Sequence, residues 1–249
     1  MNFLALCQRA VTECGVASGL AVASALPTVV GVTGSIARVV NWVGDAWNDI
    51  QIAHDDWDFL RSSNVLGAGA SFATIAGQAS YPLGVFPTTV GAPGTVGIAP
   101  DSFGKWDRET FRNFVTAEGY LSENYLDEIP FDVWRDSYMY GAMRSEQTRP
   151  VVVAVGPDQS VCLGPPPDGN YTITADYFMA PSVMALDTDL PIGLPTKFHM
   201  LIVYRAMTKY GQYEAAQEVL ERGQQEYAPM YSRLLAVRAP RMSFSGSLA

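Results

Sequence analysis

The apolar residues of this chain keep a helical period near both ends and a two-residue period in the middle, so the fold must bracket a β-rich segment with helices. From a cap at Thr33 or Ser35, Ile36, Val39, Val40, Val43, Ala46, Trp47, Ile50 and Ala53 follow an i, i+3, i+4, i+7 series, with Arg38, Asn41, Asp45 and Asp49 elsewhere on the helix. An earlier helix runs through Phe3-Leu4-Ala5-Leu6-Cys7 and Ala10-Val11-Cys14, and Gly15 is its natural stop. Beyond Thr196, Phe198, Leu201, Ile202 and Arg205 to Met207 predict a helix that Gly211 ends, and Tyr213 starts a longer one. The stripe of this last helix passes through Ala216, Val219, Leu220, Gly223, Tyr227, Met230, Tyr231 and Leu234. Glu214, Glu218, Glu221, Arg222 and Glu226 keep its other face wet, and Pro229 is a point for a kink.

Between these helices the period shortens. Phe72-Ala73-Thr74-Ile75, a turn at Gly77 and Ser80-Tyr81-Pro82-Leu83 predict a short hairpin. From Gly84 to Gly104 glycine and proline recur and charge nearly vanishes, which marks a long loop. Trp106 to Val115 reads as a strand or an irregular extended piece, and Phe131 to Tyr138, entered through Pro130, as a short helix. Val151 to Val155 and Ser160 to Leu163 form a strand pair around Gly156-Pro157-Asp158-Gln159. After Pro165-Pro166-Pro167-Asp168-Gly169 comes a half-buried strand with Tyr171, Ile173, Ala175 and Tyr177 on one face. The expected fold is α+β, a helical bundle from N- and C-terminal helices with an inserted antiparallel β-sheet or sandwich domain. Its expected parts are N-terminal helices over 1–56, a β-rich insertion over 57–190, a C-terminal helical hairpin over 191–236 and an extended docking tail over 237–249.

Composition narrows the function. Of 249 residues, 48% are apolar, enough for a sizeable core, and the formal net charge is −9. Lys and Arg are scattered, so tight nucleic-acid binding is not expected; an acidic wall would suit a channel through which DNA slides. The apolar run from Val16 to Val32 holds Ala23-Ser24-Ala25, which imitates a signal-peptidase site. Arg9 and Glu13 interrupt the preceding stretch and no basic cluster follows Met1, which argues against a signal peptide. Gly19, Pro27 and Gly31 break the run, which is also short of a membrane span, so it reads as a surface loop and no membrane partner is expected.

No constellation of catalytic residues emerges. GxSxG, HExxH, Walker and zinc-knuckle spacings are absent from the sequence. Cys7, Cys14 and Cys162 form no CxxC pair, so buried thiols are expected, with no metal and no cofactor. Gly67-Ala68-Gly69 lacks the third glycine of a dinucleotide loop and precedes a strand. His54, next to Asp55 and Asp56, reads as a solvated helix end, His199 as a satisfied core or interface histidine, and Asp187 and Asp189 as turn formers. Tyr204 to Leu220 imitates one tetratricopeptide unit, but a single unit has nothing to stack on.

Several stretches in order along the chain resemble the head-to-tail connector or adaptor proteins of tailed, short-tailed (podovirus-type) bacteriophages. Phe3-Leu4-Ala5-Leu6-Cys7-Gln8-Arg9 to Cys14-Gly15 is similar to the family's opening helix. Val39-Val40-Asn41-Trp42-Val43 to Trp47-Asn48-Asp49-Ile50-Gln51, with Trp57-Asp58-Phe59-Leu60-Arg61, is similar to its second. Arg149-Pro150, Asp158, Pro165-Pro166-Pro167-Asp168-Gly169-Asn170-Tyr171 and Asp176-Tyr177 follow, then Asp189-Leu190-Pro191 to Leu194-Pro195, Phe198-His199, Val203-Tyr204-Arg205-Ala206 and Tyr210. The loop between the first two helices and the Gly84–Gly104 stretch look expanded. The resemblance implies a non-catalytic structural protein of the virion, assembled in the host cytoplasm. It implies a homo-oligomeric ring, a dodecamer, that joins the portal protein to the tail nozzle or tail tube protein and surrounds the DNA ejection channel without specific DNA binding. On that reading Arg238, Arg241, Met242 and Phe244 anchor in a portal groove. Trp42 and Tyr213 are intersubunit contacts; Trp42 and Trp47, five residues apart, cannot both centre on one helix face. Two alternatives stay open at this stage: a cell-wall or glycan hydrolase using carboxylates such as Asp127 and Glu128, and a secreted β-rich binding module cleaved near Ala25.

Overall fold

The computed structural model describes residues 1–16, 26–63, 69–84 and 94–238. The fold is α+β and divides into two compact units: the described parts of Met1–Leu60 with Pro181–Ala249, which are helical, and Arg61–Ala180, which is β-rich.

In the helical unit, α1 (Phe3–Glu13), α2 (Gly34–Ile52), α4 (Met200–Tyr213) and α5 (Gln217–Arg238) pack so that α4 touches the other three. This central place explains its composition: Leu201, Ile202, Val203, Ala206, Met207, Thr208 and Gly211 are all buried, more than one stripe could supply. The predicted stripe of α2 is buried from Val39 to Ile50, while Ile36 is half-buried and Ala53 exposed. The Asn2 side chain caps α1 by accepting from Ala5 N, and Phe3 N and Leu4 N donate to the carbonyls of Asp189 and Asp187. Gly211 does not end its helix as expected. It lies inside α4, where a Cβ would stand 2.8 Å from Leu220, and its bare backbone lets α5 approach. The reversal is made instead by Ala215, at a φ of 52°, and Tyr213 closes α4 rather than opening α5. Pro229 sits within α5 without ending it, and the helix runs to Arg238, two residues into the predicted tail.

The β unit has three sheets among its described residues. β1 (Arg61–Ser62), β11 (Tyr177–Met179) and β4 (Phe103–Trp106) form one, in that order. β2 (Ala70–Ala73), β10 (Tyr171–Ala175), β5 (Arg112–Val115) and β6 (Asn124–Tyr125) form another. The third is β3 (Ser80–Tyr81), β9 (Val161–Gly164), β8 (Val152–Val155) and β7 (Asp127–Glu128). Pairing is antiparallel except β7 with β8, whose parallel connection carries the predicted short helix, α3 (Phe131–Tyr138). The hairpin expected over 72–83 does not exist: β2 pairs with β10 and β3 with β9, in different sheets. The two strands still touch through the Phe72 and Tyr81 rings, 5.1 Å apart, and the Tyr81 hydroxyl accepts from Ile75 N.

The segment Trp106–Val115 and the strand predicted from Tyr171 onward are also each split between two sheets. Phe103–Val115 runs antiparallel to Tyr171–Met179, but the five residues 107–111 stand opposite only Ala175 and Asp176, so the ribbon turns a corner there. The corner is tied by Thr110 Oγ1, which accepts from Asp176 N, by Asp107 N, which donates to Asp176 O, and by Arg61, which pairs with both carboxylates. Thr174 and Asp176 are therefore buried along with Ile173 and Ala175, where a one-faced strand was expected. β8 and β9 are covered on both faces as well. Val153, Val155, Val161 and Leu163 join the main core with Phe72, Trp106 and Ile173, while Ala154 and Cys162 pack with Trp134 of α3.

Candidate functional site

The helical unit presents an aromatic patch where the second and fourth helices meet. Trp42, half-buried on α2, sets its ring against Tyr210 and Tyr213 of α4, with centroids 5.9 and 5.4 Å away. The Arg38 guanidinium lies 4.9 Å from the centre of the Tyr213 ring, which remains 57% exposed. The fold thus brings Trp42 and Tyr213 together on one surface although 171 positions separate them in the chain. Trp47 takes the other role: it is fully buried against Phe59 and donates its indole N–H to Ser182 Oγ.

Arg238 is the last residue of α5, and its buried Nε has no hydrogen-bond partner among the described residues. Arg241, Met242 and Phe244 lie outside the described residues, as do residues 17–25 around Ala25 and 85–93 of the glycine-rich stretch. Along α5 only Gly223 and Leu234 are buried; Val219, Leu220, Tyr227, Met230 and Tyr231 are half-buried, which leaves much of the predicted stripe open. Tyr227 stacks on Tyr231 at 5.3 Å, and burial pushes the Tyr227 hydroxyl up to about 12. A groove of about 710 Å³ runs beside α2, lined by Phe3, Val40, Asp45, Val183 and Met184.

The side chains with chemical potential are occupied structurally. His199 is buried, with Nε2 3.0 Å from Leu194 O and Nδ1 2.6 Å from Met1 N, and burial lowers its pKa. His54 lies edge-on to the Trp57 ring. Asp187 accepts from Val29 N, and Asp189 accepts from Ala185 N and Leu186 N, which holds its carboxyl below the usual range. Cys7, Cys14 and Cys162 are free and buried; desolvation pushes Cys7 and Cys14 up to about 12, so neither offers a ready thiolate. Asp127 and Glu128 are successive residues of β7, where side chains alternate between faces, and Glu128 is held by Arg108 at 3.0 Å. Among the described residues, no group of three or more His, Cys, Asp and Glu could hold a metal ion, and no helix is long and apolar enough to cross a membrane.

The model of one protein family, described as SU10 adaptor protein, matches residues 1–248. The chain belongs to the SU10 adaptor protein family. It is a phage structural adaptor of the head-tail joint. No curated protein matches the chain. The candidates named from the sequence include Trp42 and Tyr213 of the aromatic patch and Arg238 at the end of α5, but not the turn at Gly119–Ser122. The signal there was available: Tyr120-Leu121 stands at a tight reversal, where polar residues are the rule.

Proposed function

We propose that this SU10 adaptor forms a ring, a dodecamer, that joins the portal to the tail nozzle and lines the channel for ejected DNA. The match over residues 1–248 carries the reading, because it covers both units and leaves little of the chain for another role. The geometry supports it in one way. Ring subunits need two different surfaces that meet head to tail; the Arg38–Trp42–Tyr213 patch and the open side of α5 are two such surfaces. The net charge of −9 is compatible with a channel wall to which DNA does not adhere.

In this role Trp42 and Tyr213 meet the neighbouring subunit, and the segment around Arg238, Arg241, Met242 and Phe244 anchors in a portal groove. The protein needs no catalytic residue. Assembly takes place in the host cytoplasm, and the finished ring belongs to the virion. Negative-stain imaging of the purified protein, alone and mixed with the portal ring of the same phage, tests this. Rings, or caps on the portal that vanish when residues 237–249 are deleted, are the expected result. Compact monomers that ignore the portal at every salt concentration would overturn it.

A further inference from the structure

We propose that the turn between β5 and β6 is a preformed knob that seats Leu121 in an apolar socket, rimmed by basic side chains, on a different protein of the particle. Leu121 is 99% exposed, Tyr120 72% and Tyr125 46%, so three large apolar side chains face water within six residues. Scattered exposed apolar residues are ordinary, but this cluster sits on a frame built to hold it still.

Gly119 takes a φ of 63° at the entry to the turn. The Ser122 hydroxyl accepts from Val115 N at 3.0 Å and donates to Gly119 O at 3.2 Å, Glu118 N donates to Val115 O, and Glu123 N donates to Tyr120 O. Arg149 donates to Ser122 O from behind, and the Tyr120 ring rests on Phe114 with centroids 5.0 Å apart. None of these contacts uses the Leu121 side chain. Other reversals of the same unit, Gly156-Pro157-Asp158-Gln159 and Asp168-Gly169-Asn170, are made of the polar and small residues that turns favour. A leucine is therefore not needed to make the turn, and a rigid frame lowers the entropy lost on docking.

Charge selects the partner. Glu118, Glu123, Asp127 and Glu128 surround the tip in sequence; Arg112 and Arg108 answer Glu123 and Glu128, while Glu118 and Asp127 have no ion pair among the described residues. A socket with basic groups at its rim complements this field. Acidic residues of this chain outnumber basic ones 25 to 16, and eight of those 16, among them Arg61, Arg108 and Arg112, are already in ion pairs, so a second copy is poorly placed to supply such a rim and another protein is favoured. The assignment of that protein to the particle rests on the adaptor reading.

Hydroxyl-radical footprinting with peptide mass spectrometry, on the purified protein and on intact virions, tests the knob. Oxidation of Tyr120 and Leu121 should be high in the purified protein, whether monomer or ring, and fall about tenfold in virions, as for a buried interface anchor. Equal oxidation in both, or protection already present in a purified ring, would overturn the proposal, the latter by placing the socket on a second copy. Leu121→Asp, at a position that contributes nothing to the core, should leave heads that carry adaptor rings but no tails, with completed particles down at least about 30-fold, while Leu121→Met keeps the yield. Normal yields of tailed particles with Leu121→Asp would sink the knob alone; wild-type heads that carry no adaptor at all would sink the adaptor reading instead.

Discussion

In the helical unit each buried stripe belongs to one continuous helix, whereas the β unit closes its core with strands of two to five residues drawn from across 120 positions. The two regions consequently satisfy their buried polar groups differently. A helix pairs its own backbone, so the helical unit needs only a few side-chain ties. Gln51 is the main one: it is buried, accepts from Ser182 N at 2.8 Å and donates to Ser182 O at 2.9 Å, holding the returning chain. Short strands leave their ends unpaired, and in the β unit side chains finish the work. Arg149 donates to Asn113 Oδ1, Asn113 O and Ser122 O; Asn113, fully buried, donates in turn to Pro150 O; the indoles of Trp106 and Trp134 donate to Gln159 O and Leu163 O. The helical unit is held mainly by apolar packing. The β unit adds a lattice of charged and amide hydrogen bonds, each costly to leave half-made.

The sharpest trial of this contrast is in the helical core. Trp57 is fully buried between Phe59, His54 and Tyr231 and donates to Ile50 O. Trp57→Ala should cost about 3–5 kcal/mol in chemical denaturation, through the cavity and the orphaned carbonyl together. In the β unit, Asn113→Ala removes little apolar surface yet leaves Pro150 O without its donor and deprives Arg149 of the Asn113 Oδ1 acceptor, leaving it only the backbone carbonyls of Asn113 and Ser122. A loss of about 2–3 kcal/mol is expected by the same measurement. A neutral result would mean that apolar burial alone holds that unit, and the contrast would fail.

A smaller effect of opposite sign is expected at the reversal between α4 and α5, where Ala215 holds a left-handed backbone. Ala215→Gly should raise stability by up to about 1 kcal/mol. A decrease in the denaturation midpoint would show that the Ala215 methyl contributes more than its strain costs. The slightest effect is the pH dependence of the helical unit. Burial lowers the folded pKa of His199 below its ordinary value of 6.5, so the unfolded chain binds the extra proton first. Its contribution is complete above that value and declines as pH falls from there toward the folded pKa. Denaturation midpoints of wild type should therefore drop on acidification below about pH 6.5, and His199→Asn should flatten that part of the profile.

The same physical difference governed what could be read in advance. The α2 stripe from Val39 to Ile50 and the helix begun at Pro130 were legible because a helix is decided by residues three and four apart. The helical hairpin was legible too, but not its turn. Gly211 resembles a stop signal until α5 is seen crossing it, and Ala215 carries no turn signature at all. The longer β strands were legible in place, and so was one pairing, β8 with β9, because a short turn joins them directly; the other partners were not, nor were the two-residue strands β1, β6 and β7. Phe72 to Leu83 looked like a hairpin because its strands are close in sequence, while the real pairings join Phe72 to Ile173 and Ser80 to Cys162. Of the candidate contacts, Trp42 and Tyr213, named together as intersubunit contacts, share one surface; the Leu121 tip passed unnoticed because exposure is not a property of a residue type.

By itself the sequence determined the α+β class, the positions of the helices and the absence of any familiar catalytic motif, since each of these depends on local spacing. Strand partners other than β8 with β9, the bent ribbon at Asp176, the close approach at Gly211 and the display of Leu121 were decided only in three dimensions. Backbone pairing, interhelix clearance and solvent exposure are set by residues distant in the chain, and no local pattern records them.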